Sequence, residues 1–248
     1  MSDLTGRSAL ITGGASGIGA ACARELAARG ATVTIADIDD VGAKALAAEL
    51  DGKAWAVDLL DVAALEDLTL DTDILVNNAG VQSISPIEDF PPDRFRNLMT
   101  LMVEAPFLLI RAALPQMYQR GFGRIINLSS VHGLRASEYK VAYVTAKHAL
   151  EGLSKVTALE GGRHGVTSNC VSPGYVRTLL VDKQIADQAK AHGIAEQQVL
   201  EQVLLTESAI KRLVEPEEVA SLVGWLASAN AGMVTGASYT MDGGWTAR

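Results

Sequence analysis

The sequence predicts an α/β fold, a parallel sheet of about seven strands doubly wound by helices on both faces, and three observations carry that prediction. Short β-rich runs alternate with helix-like segments along the chain. The first run ends in a glycine-rich turn that opens a helix. The 248 residues are 48% hydrophobic, which is enough apolar material for one large core and leaves little for a second.

The β-rich runs fall at 8–12, 32–36, 54–57, 74–76, 125–128, 168–171 and 238–241. Helix-like segments lie at 18–29, 41–50, 94–118, 143–159 and 216–227. In the first of these, Ile18, Cys22 and Leu26 share one stripe and Gly30 supplies the stop signal. Such alternation reads as a parallel sheet covered on both faces, joined by right-handed crossovers. The pattern breaks over 178–213, a helical stretch rich in Gln, Ala and Glu. It is expected to form a small lid within a single domain spanning 1–248.

Composition narrows the partners. The net charge of −8 and the lack of any Lys or Arg run argue against a nucleic-acid face. Cys22 and Cys170 are far apart and outside any metal spacing, so both are expected to be reduced, buried thiols, and no metal site is expected. No signal peptide opens the chain and no 18-residue apolar run is evident, so a cytoplasmic protein without membrane contact is expected.

The first turn reads Thr12-Gly13-Gly14-Ala15-Ser16-Gly17-Ile18-Gly19. Glycines at 13, 17 and 19 let the backbone turn tightly and approach a pyrophosphate, and the following helix presents free N–H groups and its positive dipole end. The turn follows a strand and opens a helix, which is the context a dinucleotide site requires. The second strand ends at Asp37, whose carboxylate can accept both adenosine ribose hydroxyls and repels a 2′-phosphate. No Arg or Lys stands at 14–16 or 38, so NAD is favoured over NADP.

After the fifth strand comes Asn127-Leu128-Ser129-Ser130, then Tyr143 thirteen residues later and Lys147 four beyond it. Tyr143 and Lys147 therefore share a helix face. A free tyrosine has a pKa of ~10, too high for a base near neutrality. An ammonium one turn away favours the phenolate. Tyr143 is thus the expected base toward an alcohol proton, with the Ser130 hydroxyl on the substrate oxygen.

With these pieces the chain resembles the short-chain dehydrogenase/reductase family over essentially its whole length. Asp58 after the third strand, Asn77-Asn78-Ala79-Gly80 after the fourth and Pro173-Gly174 complete the ordered set. The resemblance implies a Rossmann-type domain and a secondary alcohol or ketone as substrate. It implies cofactor contacts from Gly13, Ser16, Gly17, Ile18, Gly19, Asp37, Tyr143, Lys147 and Pro173. Asp58 and Leu59 would meet adenine, while Asn78, Ala79 and Gly80 would line the cofactor. Val176 and Thr178 would meet the carboxamide, and Asn127 would be structural. It further implies pairing through helices around 107–118 and 143–159, commonly into homotetramers. One position departs: Met102 stands where the family carries an Asn that holds a relay water, and a thioether is a poor acceptor and no donor. The chain is also short between Asp61 and Asp73, so one outer helix should be curtailed.

Within the family, Gln82, the run Ser130-Val131-His132-Gly133-Leu134, Lys140, Lys147-His148, Gln184 and the ending Asp242-Gly243-Gly244-Trp245 resemble the branch acting on (R)-3-hydroxybutyrate. That resemblance places a substrate carboxylate among Gln82, His132, Lys140 and Gln184. The physical case is separate: a small 3-hydroxy acid needs a cation and neutral donors in a partly dry site. Lys140 and His132 lie on the segment joining Ser130 to Tyr143, Gln82 leaves the fourth strand, and Gln184 sits in the lid. A 3-oxoacyl reductase, a sugar-alcohol dehydrogenase and a catalytically silent NAD sensor are the alternatives. Leu179 stands where close relatives carry proline, which should loosen the lid hinge.

Overall fold

The computed structural model describes residues 3–178, 181–182, 185, 189 and 194–247. Seven parallel strands form one sheet in the order β3-β2-β1-β4-β5-β6-β7, the order of a doubly wound fold. The strands are β1 (Ser8–Thr12), β2 (Thr32–Asp37), β3 (Lys53–Ala56), β4 (Ile74–Asn77), β5 (Gly123–Leu128), β6 (Val166–Pro173) and β7 (Ser238–Met241). β1, β4 and β5 read as near-continuous apolar runs because both of their faces are covered.

Two apolar clusters fill those faces. One joins Ile11, Val33, Ile35 and Val76 to α1 (Gly17–Ala28) and to the helix Pro216–Leu226. The other joins Leu10, Leu75 and Ile125 to Leu109 and Met117. The curtailed outer helix is found: α3 spans only Ala63–Glu66, after α2 (Asp40–Glu49). Cys22 and Cys170 are free and buried, as expected, and burial pushes the Cys22 thiol up to about 12.

The predicted helix 94–118 is interrupted. It runs as α4 (Pro92–Met99), a π-type turn over Thr100–Glu104, then α5 (Ala105–Arg120). A π turn inserts one residue into the helical ladder and often sits at a functional site. Met102 lies in this turn, fully buried against Leu98, Ala142 and Ala146. The whole run Pro92–Arg120 is 29 residues long and apolar enough, by length and composition, to cross a membrane, which corrects the expectation that no such run exists. Half of its most apolar 18-residue window is buried inside the protein, and the need to pack against the sheet accounts for its apolarity.

α6 (Val141–Gly161) follows the short turn Val131–Gly133 and carries Tyr143 and Lys147. Of the expected lid, α7 (Glu196–Val199) and a π-type turn over Leu200–Leu204 are described. Ile185, Val199, Leu205 and Leu213 give this region a small apolar cluster of its own. Gln184 and Leu179 lie outside the described residues. The helix Pro216–Leu226, α8, completes the set.

Candidate active site

Strand order reverses between β1 and β4, and ligands of open α/β sheets bind at that crevice, beyond the carboxyl ends of the strands. A cleft of about 1300 Å3 opens there. At its near end the β1–α1 turn is as tight as the glycines allow. Gly13 has φ +59°, and a Cβ on it would stand 2.9 Å from Ala79 Cα. A Cβ on Gly19 would stand 2.1 Å from Gly13 O. The chain thus keeps a bare backbone cradle at a helix N-terminus, which fits a dinucleotide pyrophosphate. Thr178 closes from the far side, its methyl 3.6 Å from where a Gly17 Cβ would be.

Thr12, read above only as the start of the turn, locks the cradle to β4. Its Oγ1 accepts N–H bonds from Asn78 at 3.0 Å and Ala79 at 3.1 Å. Asn78 Nδ2 in turn donates to the carbonyls of Thr12 and Gly13 at 3.0 and 2.9 Å. The Asn78 amide therefore braces the turn from behind, while Ala79 and Gly80 face the cleft with it. Ser16, Ile18, Asp58, Leu59, Pro173 and Val176 line the same cleft.

Asp37 ends β2 with both oxygens aimed by the backbone. Oδ2 accepts the Ala15 N–H at 2.9 Å and Oδ1 the Asp39 N–H at 3.0 Å. No ion pair among the described residues includes it. A fixed, uncompensated carboxylate at this point attracts hydroxyl donors and repels phosphate.

The catalytic candidates converge in the middle of the cleft. Ser130 leaves the end of β5 and its Oγ accepts the His132 N–H at 3.2 Å. Tyr143 lines the cleft beside Ser130, its ring 6.1 Å from that of His132. Lys147 lies beneath, its Nζ 5.5 Å from the Tyr143 ring centroid and donating to Leu128 O at 2.6 Å. Sequence spacing led to the expectation that Lys147 lowers the Tyr143 pKa. In the chain alone burial pushes Tyr143 up, and only the Ser130 contact works against that. Lys147 is itself pulled down to about 8, because burial disfavours its charge more than the nearby Glu151 carboxylate supports it. Met102 offers no polar contact here; its sulfur packs 3.2 Å from where a Cβ on Gly80 would stand. Met102→Asn should therefore leave a buried amide short of partners and lower thermal stability by about 1–3 kcal/mol, read as a fall in melting temperature.

Three of the four expected anion-binding residues meet in the same cleft: Gln82, His132 and Lys140. His132 Nε2 and Lys140 Nζ are 3.0 Å apart. With the ammonium donating, Nε2 must accept, which assigns the ring proton to Nδ1. Burial, then the charges of Lys140 and His148, hold the His132 pKa down at about 4, so the ring is neutral near pH 7. His132 thus orients Lys140 instead of reaching past it with Nε2. The ammonium is held over the Tyr175 ring at 5.8 Å, a contact the sequence did not signal. Trp245 packs edge-on to His132, with ring centroids 5.7 Å apart. Tyr139, next to Lys140, has φ +65°, and its carbonyl accepts the Ser85 N–H at 3.0 Å. That bond ties the loop after Gln82 to the loop bearing Lys140.

Comparison with known proteins gives the family. The family model described as enoyl-(acyl carrier protein) reductase matches residues 13–246. The D-beta-hydroxybutyrate dehydrogenase of Rhizobium meliloti is 43% identical over 256 residues, covering 98% of this chain and 99% of its own. The enzyme of the same name from Cupriavidus necator is 41% identical, covering 99% of this chain and 100% of its own. A solved structure from Agrobacterium tumefaciens, described as a candidate 2-deoxy-D-gluconate 3-dehydrogenase with bound NADP, superposes with a TM-score of 0.87. It is 31% identical and covers 99% of this chain and 98% of that one. With its doubly wound sheet, its glycine cradle and its Ser-Tyr-Lys cluster, the chain belongs to the short-chain dehydrogenase/reductase family.

Proposed function

We propose that this dehydrogenase acts on the CH–OH group of a small 3-hydroxy acid, (R)-3-hydroxybutyrate giving acetoacetate, with NAD as the partner cofactor. The observation that carries the reading is the half-buried Lys140 ammonium, oriented by neutral His132 in the cleft that holds Ser130 and Tyr143. A carboxylate there gains a charge-assisted contact in a partly dry site. Gln82 adds a neutral donor, and Gln184 is proposed to close from the lid. The two hydroxybutyrate dehydrogenases at 41–43% identity support the same substrate class.

In this reading NAD supplies the hydride acceptor. Ser130 holds the substrate oxygen, and Tyr143 takes the hydroxyl proton at its phenolic oxygen. Lys147 stabilises the phenolate from below. Gly13, Ser16, Gly17, Ile18 and Gly19 hold the pyrophosphate, Asp37 the ribose, and Asp58 and Leu59 the adenine. Asn78, Ala79, Gly80, Pro173, Val176 and Thr178 line the nicotinamide half. A homotetramer remains the proposed assembly, from the family resemblance.

A substrate panel followed by NAD reduction tests the reading. Turnover of 3-hydroxybutyrate well above that of neutral secondary alcohols is expected, and equal turnover of both would sink it. Cofactor choice is tested at Asp37. Asp37→Ala combined with Ile38→Arg should move preference from NAD toward NADP by roughly tenfold or more, since it removes a repulsive charge and supplies an attractive one. NADP used as well as NAD by the parent protein would overturn the ribose assignment. The NADP-bound relative favours a second reading, a sugar-acid dehydrogenase, which gluconate-type substrates in the same panel would reveal.

A further inference from the structure

Below the reacting pair lies a buried carboxylate that the chemistry above does not use. Glu151 follows Lys147 by one turn of α6, so both side chains leave the same helix face. Both are buried, at 5% and 4% exposure. Glu151 packs beside the turn that carries His132: a Cβ on Gly133 would stand 3.0 Å from Glu151 Cγ and 3.1 Å from the Lys147 carbonyl oxygen. Its Oε1 lies in acceptor position for Ser172 Oγ of β6 at 2.9 Å and Ser238 Oγ of β7 at 3.0 Å. Both donors are neutral. Among the described residues no ion pair includes Glu151 or Lys147.

An uncompensated charge in the interior is costly, and removing one member of a buried pair exposes that cost. The groups facing Lys147 leave few candidates for compensation. Tyr143, on the same helix, is protonated near neutrality, since burial raises its pKa. Cys170 of β6 is a neutral thiol, because burial and Glu151 both push it up. His132, on the 131–133 turn, is neutral. Lys140, beyond His132, has the same sign as Lys147. Met102 brings no polar atom other than its thioether sulfur. Glu151 is the remaining group, and its field opposes the loss of the Lys147 proton that burial promotes.

We propose that Glu151 is the counter-charge of Lys147, a positioning residue that keeps the lysine an ammonium over the pH range in which Tyr143 exchanges its proton. The proposal rests on the reading that Tyr143 and Lys147 are the reacting pair. It does not depend on which substrate is turned over.

Glu151→Gln keeps the shape and the serine contacts and removes the charge. In the reductive direction, with acetoacetate and NADH, Tyr143 must be protonated and Lys147 charged. At saturating acetoacetate, where Lys140 is already engaged, the basic limb of kcat then follows loss of the Lys147 proton. Taking away a nearby negative charge lowers the pKa of a cation, so the limb should move to lower pH by roughly one unit. Glu151→Asp should bring most of it back. A packing role alone would scale the rate equally at every pH and would penalise Asp at least as much as Gln. The substrate-free readout is a cycle of melting temperatures for Glu151→Gln, Lys147→Met and the double variant. The double should melt several degrees above the sum of the single losses. If Glu151→Gln alone does not fold, adding Lys147→Met should restore folding. Additive losses, a double variant that stays unfolded, or a folded Glu151→Gln with an unmoved basic limb would each overturn the proposal. If acetoacetate is not reduced, the substrate reading fails while the melting cycle still decides on Glu151.

Discussion

Tyr143→Phe is expected to lower turnover by roughly a thousandfold or more, the upper range for loss of a positioned acid–base group. The substitution removes one oxygen from a side chain that packs near His132 and against the apolar cluster of Phe90, Leu98 and Met102, so the fold should survive. Ser130 still accepts the His132 N–H. No other side chain among those lining the middle of the cleft can replace the phenol. His132 has its Nε2 committed to Lys140, and Lys147 donates to Leu128 O. Initial rates at saturating NAD, together with NAD affinity measured separately, check the result. Affinity should stay within a few-fold while the rate collapses. A Phe variant running near the parent rate would remove Tyr143 from the mechanism.

Lys140→Ala should cost roughly ten- to a hundredfold in kcat/KM on 3-hydroxybutyrate, the equivalent of ~1.5–3 kcal/mol for a charge-assisted contact. A neutral secondary alcohol of similar size should be scarcely affected, because it never used the charge. The control matters because the ammonium also holds His132 Nε2, and its loss leaves that buried nitrogen without its donor. Equal losses on charged and neutral substrates would assign Lys140 to the support of the His132 turn and remove the anion pocket. The charge on Lys140 has a pH dependence of known sign. Burial lowers its pKa, so the contact is complete at low pH and fades as pH rises through that lowered value. The apparent KM for the acid should rise with pH accordingly.

Much of the sheet was readable from the chain because β1, β4 and β5 are covered on both faces, which leaves apolar runs bounded by turn signals. β6 was read too short, as 168–171 against the observed Val166–Pro173. Its Thr167, Ser168 and Asn169 are polar yet buried, and they satisfy themselves by hydrogen bonds: Asn169 bonds the Val234 carbonyl and the Ala237 N–H, and Ser168 Oγ lies 3.0 Å from Ser154 Oγ. The π turn around Met102 left no trace, since one inserted residue barely disturbs an apolar pattern that continues on both sides. In the site, spacing alone brought Tyr143 and Lys147 onto one face. Spacing did not show that His132 would turn Nε2 toward Lys140, because that depends on how the 131–133 turn packs. Glu151 was not singled out, although one turn beyond Lys147 is where an inward-facing residue belongs.

The strand order has a consequence for how such a protein can diverge. Asp37 stands at the end of β2, on one flank of the crossover between β1 and β4. Ser130 and Lys140 stand beyond β5, on the other flank. The hydrogen bonds that fix Asp37 come from Ala15 and Asp39, and those that fix Lys140 come from the His132 side, with no residue in common. Changes at sites with no shared partner generally add. On the proposed reading of the two sites, a lineage could therefore exchange its nucleotide without retuning its acid pocket, or change its pocket while keeping its nucleotide. Joining Asp37→Ala and Ile38→Arg to Lys140→Ala should accordingly give the product of the separate effects, so that this sheet carries two selectivities as independently heritable traits.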